Sequence, residues 1–242
     1  MFAINHAATA LLIERRHPDV SLVPILISVQ AMELLWVLLN YAGIERTTTE
    51  PVVRYVGDIH LLHMPFSHSV ATMAGVALAA WLIARAARRP RLGAALGLGI
   101  ISHLVLDLAT HNGDIALAPF MDGAKYGTYL YASAPAAAFL VELAYGLLCW
   151  RVFRGGRTLF AVILVFNLAN ASLFFASIPG PEYWLAGRPL VLTTIILVQI
   201  IVTLGAVWWA VRRDRAGRQP MKGGTLPAAR ADSVTAVGRG LK

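Results

Sequence analysis

The chain has 242 residues, 57% of them hydrophobic and 14% charged, with a mean hydropathy of +0.64. That composition excludes an ordinary soluble domain and makes lipid the expected solvent. The formal charge of +8 is no argument for nucleic acid, because Arg212 to Lys242 carries eight Lys or Arg against two Asp and so supplies six of those charges. Basic clusters beside apolar helices read as topology signals and as contacts with anionic headgroups, so membrane lipid is the expected partner.

In chain order, Phe2 to Ile13 is apolar but too short for a full crossing, which predicts a half-helix or an interfacial helix. Glu14-Arg15-Arg16 follows this segment instead of preceding it, so it lacks the positive start of a secretory signal and is expected to be retained. Six longer apolar runs follow, at residues 20–43, 66–84, 92–111, 129–150, 158–178 and 189–211. Each is near the roughly 20 residues that cross a hydrocarbon core. The expected fold is all-α, a polytopic membrane bundle of about six transmembrane helices plus the short N-terminal helix, filling residues 1–211. Residues 212–242, rich in Gly, Ala, Pro and charge, are expected to form a disordered basic tail. No internal repeat suggests duplicated transporter halves.

Orientation follows from Arg, which concentrates on the cytoplasmic side of span ends. Arg15 and Arg16, Arg85 to Arg91, Arg151 to Arg157, and Arg212 to Arg218 all fall on one side if there are six crossings. Both termini are then expected to be cytoplasmic, in a cytoplasmic membrane.

Ionisable residues inside spans cost about 2.5–3.5 kcal/mol each on insertion scales, so each needs a partner or a role. His6 sits in the short leading helix, Glu33 in the first span, His68 at the start of the second, His103 and Asp107 in the third and Glu142 in the fourth. Counted from the nearest Arg cluster at about 1.5 Å per residue, His6, Glu142, His103 and His68 lie at depths of roughly 14 to 26 Å. Bundling can bring them together. The spacing of four in His103, Asp107 and His111 places these residues along one helix face, as when a single helix gives several ligands to a metal. The segment His63-Met64-Pro65-Phe66-Ser67-His68-Ser69 adds two histidines, with Pro65 suited to a bend or helix start and Ser67 or Ser69 to a cap. Imidazole with carboxylate is the ligand set of zinc, or of manganese or iron. The lone Cys149 supplies no thiolate site and no disulfide.

The order His6, then His63 and His68 with Ser69, then His103 and Asp107, resembles the metal-dependent hydrolases of bacterial inner membranes, a family also described as LexA-binding. The resemblance covers roughly residues 1–150 and implies an inner-membrane location and a metal site. Members typically carry an Arg-Gly pair and a Thr inside the double-histidine motif, where this chain has Met64-Pro65 and Ser67. It therefore looks like a divergent branch, and no role tied to that Arg carries over.

The resulting expectation is a membrane-embedded hydrolase in which His6, His68, His103 and Asp107, with Glu33, hold one divalent cation, zinc foremost. His63, Glu142 or Glu33 would serve as general acid or base. A lipid or lipid-linked phosphate or ester is the substrate class suggested by location. The alternative is a small transporter or a non-enzymatic membrane protein using the same residues for protons or metal ions.

Overall fold

The computed structural model describes residues 1–121, 123–178 and 180–218. Helix makes up 67% of it. The helices are α1 (Ala3–Arg16), α2 (Leu22–Val29), α3 (Ala31–Tyr41), α4 (Val70–Ala86), α5 (Pro90–Leu108), α6 (Leu130–Ser133), α7 (Pro135–Phe153), α8 (Arg157–Leu168) and α9 (Pro189–Arg218).

Three of them, α5, α7 and α9, are long and apolar enough to cross a membrane, and a fourth crossing exists if α2 and α3 count as one bent span. The other two of the six expected crossings fall on shorter apolar helices, α4 and α8. The first run is broken by 51° at Gln30. At 17 and 12 residues, α4 and α8 are shorter than the apolar runs they come from. The expectation of purely α structure also needs correcting, because β1 (Arg46–Thr49) pairs antiparallel with β2 (Ile59–His63) in a small hairpin. The β-branched run Thr47-Thr48-Thr49 favours this extended form. Of the expected tail, residues 212–218 continue α9, and residues 219–242 lie outside the described residues.

The short leading helix is not peripheral. Ten of the fourteen residues of α1 are buried, and its Ile4, Ala7, Ala8 and Leu11 form a core with residues of α2, α5, α7, α8 and α9. Small residues permit this close approach. A Cβ on Gly146 of α7 would stand 2.6 Å from Asn5 Oδ1, and one on Gly99 of α5 would stand 2.0 Å from Ser28 Oγ of α2. Gly99 thereby lets α2 lie directly on α5.

The Arg clusters meet at one end of the bundle. Arg15, at the end of α1, bonds to the Val152 carbonyl of α7, and Arg215 of α9 pairs with Glu14 at 2.7 Å. Arg91 reaches Asp19 at 3.3 Å, while Asp214 accepts from the amides of Thr158 and Leu159 at the start of α8. The hairpin and the segment 109–129 lie at helix ends remote in sequence from these clusters.

Candidate metal centre

The centre is built around Asp107, on the last turn of α5, which is 1% exposed. One turn back, His103 brings Nε2 to 3.0 Å from Asp107 Oδ2; one turn on, His111 brings Nε2 to 3.5 Å from Oδ1. The helix ends at Leu108, but the His111 amide still bonds to the Asp107 carbonyl at 2.8 Å, so the spacing of four survives past the helix. From α1, His6 places Nε2 3.2 Å from Asp107 Oδ1 and stacks its ring on that of His103 at 4.1 Å. The amino group of Met1 lies 2.6 Å from the same oxygen.

His68, just ahead of α4, brings Nε2 to 3.8 Å from Asp107 Oδ2 and 3.7 Å from Glu33 Oε2. Glu33, on the first turn of α3, lies equally far from His103 Nε2 and is the most open member at 23% exposed. Two overlapping sets, His6 with His103 and Asp107, and Glu33 with His68 and His103, are spaced to hold a metal ion. All five expected ligands are therefore brought together.

The break at Gln30 has a function in this geometry. It leaves the Val29 carbonyl free to accept from His103 Nδ1 at 2.9 Å. A carbonyl only accepts, so His103 carries a proton on Nδ1, and Nε2 is the nitrogen turned toward Asp107 and Glu33. Because His103 offers one nitrogen, the two sets share it and could hold one ion between them. Buried His68 Nε2, His103 Nε2 and Asp107 Oδ2 have no hydrogen-bond partner among the described residues. Three convergent buried polar atoms without partners are costly unless a proton or a metal ion completes them. The donors present thus fit a divalent ion of the zinc type.

The two residues expected to do acid–base work stand elsewhere. His63 is exposed at the end of β2, outside this buried group. Glu142 of α7 is buried, but its oxygens accept from the Phe2 amide at 3.0 Å, from Asn5 Nδ2 at 2.6 Å and from the Tyr131 hydroxyl. It caps α1, setting a negative charge at the positive helix end and holding His6 in place. Sequence reasoning missed Asn5, Gln30, Glu45 and Tyr131, each a single polar residue with no motif around it. Asn5 and Gln30 are each a single amide inside an apolar run, which an averaged hydropathy does not register. Asp114, whose Oδ2 is 3.5 Å from His111 Nδ1, closes the group on the side of segment 109–129.

The fold and this centre define a helical membrane protein with a histidine and carboxylate group buried among its helices. The chain belongs to the YdjM inner membrane protein family, whose model matches residues 10–179. The match includes Glu33, His68, His103 and Asp107, and His6 precedes it. No curated protein and no solved structure matches the chain.

Proposed function

We propose that the chain is a metal-dependent hydrolase of the bacterial cytoplasmic membrane, with His6, His68, His103, Asp107 and Glu33 as ligands of one divalent cation, zinc foremost. The observation that carries this reading is the convergence of His68 Nε2, His103 Nε2 and Asp107 Oδ2, buried and without donors. When bound, such a cation supplies Lewis acidity for polarising an ester and activating water. The chain's own residues do the rest. Val29 orients His103, Glu142 fixes the helix carrying His6, and the surrounding helices exclude bulk water. Glu33, the most open ligand, marks the side from which a substrate reaches the centre.

The centre lies at the ends of α5 and α1 away from the Arg clusters, and the topology of this reading is six crossings, α4 and α8 as short spans, with the Arg clusters cytoplasmic and Met1, contrary to the expected cytoplasmic N-terminus, buried beside Asp107. The meeting of the four Arg clusters at one end supports it. The centre then opens toward the outer half of the bilayer, where lipid or lipid-linked phosphates and esters are the accessible substrate class.

The test is release of phosphate or fatty acid from such lipids by the purified protein in nanodiscs. Turnover that a chelator stops, zinc restores and His103→Ala abolishes is expected. Turnover indifferent to both would contradict the reading. A second reading, proton or metal-ion passage, is favoured by the run of Asp107, His111 and Asp114 from the centre into segment 109–129. Zinc or proton flux into proteoliposomes, lost in His111→Ala, would favour that reading over hydrolysis.

A further inference from the structure

His68 differs from the other ligands because a carboxylate remote from the metal group is wired to it. After α3 the chain reverses through Gly43, at φ +69, a left-handed conformation that glycine adopts without strain. The amides of Ile44 and Glu45 return to the Leu39 carbonyl, at 2.9 and 3.1 Å, and the Glu45 side chain is left pointing inward, 1% exposed. Its Oε1 accepts from the amides of Phe66 at 2.9 Å and Ser67 at 2.8 Å, and its Oε2 accepts from Ser67 Oγ. Ser67 Oγ in turn lies 2.8 Å from His68 Nδ1. The hydroxyl has one proton, and it is committed to the carboxylate, so the bond to the ring needs a proton from His68. The backbone that carries the ring is itself held, since the Ala116 amide bonds to the His68 carbonyl at 3.1 Å.

We infer that Glu45, acting through Ser67, is a positioning residue that keeps His68 protonated at Nδ1, so that the lone pair of Nε2 faces Glu33 and Asp107. The inference rests on the proposed metal centre for its purpose, but the tautomer itself is a property of the chain without metal. Glu45→Gln tests it by reversing the relay. A glutamine amide donates to Ser67 Oγ, the hydroxyl then donates to His68 Nδ1, and the ring proton moves to Nε2, where it masks the ligand atom. Ser67→Ala removes the acceptor, and Ser67→Thr retains it.

The experiment is a long-range proton–nitrogen correlation spectrum of metal-free, histidine-labelled protein in detergent, with zinc affinity measured on the same samples by chelator competition. The expected spectrum has His68 protonated at Nδ1 in the wild type and in Ser67→Thr, and at Nε2 in Glu45→Gln. Zinc affinity should fall about 10- to 100-fold in Glu45→Gln and Ser67→Ala. The same His68 tautomer in the wild type and Glu45→Gln, both giving folded spectra, would overturn the inference. Absence of zinc binding in the wild type would instead remove the metal reading, leaving the tautomer result to decide the relay. If Glu45→Gln does not fold, wild-type His68 protonated at Nε2 overturns the relay by itself.

Discussion

At the scale of single residues, the centre depends on which polar atoms are satisfied and which are left over. Glu142 belongs to the first kind. Glu142→Ala should leave the Phe2 amide and the Tyr131 hydroxyl without this acceptor, at a cost of about 1–3 kcal/mol for each, while Asn5 Nδ2 keeps its bond to Asn167 Oδ1. Unfolding in detergent should show this loss, and an unchanged midpoint would contradict it. His63→Ala, by contrast, should leave zinc affinity as in the wild type, because the residue is exposed at the end of β2; a large loss would return His63 to the centre. The proposed ligands were legible because imidazoles and carboxylates in apolar runs are expensive and stand out. Their supports were not. Glu45 falls in a polar stretch between helices, where a carboxylate carries no cost that would mark it. Only the turn at Gly43 and the approach of Ser67 reveal it as buried.

At the scale of elements, small residues decide how closely the supporting helices approach. A methyl group on Gly99 would meet both the side chain and the backbone of Ser28, next to the Val29 carbonyl that orients His103. Gly99→Ala should therefore destabilise the protein by about 1–3 kcal/mol and weaken zinc binding at the same time. Loss of stability with affinity intact would show that His103 is oriented independently of this contact. The apolar runs were legible from hydropathy, including the short leading helix, but the division of the first into α2 and α3 was not. Hydropathy is blind to a single amide such as Gln30, whose Nε2 bonds to the Ala3 carbonyl of α1 at 3.0 Å. The hairpin was hidden for a related reason, since its pairing joins residues from Arg46 with His63 to Thr49 with Ile59, all outside the apolar runs.

At the scale of the whole molecule, the proposed topology has the Arg clusters in the cytoplasm and the hairpin outside. With Cys149→Ala as background, a membrane-impermeant maleimide applied to intact spheroplasts should label Leu62→Cys on β2 and leave Arg89→Cys unlabelled until lysis. The opposite pattern would invert the topology and turn the centre toward the cytoplasmic leaflet. Burial of α1 at the heart of the bundle ties both ends of the account together, since one helix carries His6 at its start and Arg15 and Arg16 at its end. The central claim is that the buried lone pairs around Asp107 are completed by a metal ion. The most direct measurement is metal content by mass spectrometry on detergent-purified protein, beside folded His103→Ala and Asp107→Ala variants. Close to one zinc, manganese or iron per chain is expected in the wild type and none in the variants. No metal in the wild type after reconstitution, or equal metal in all three, would contradict it.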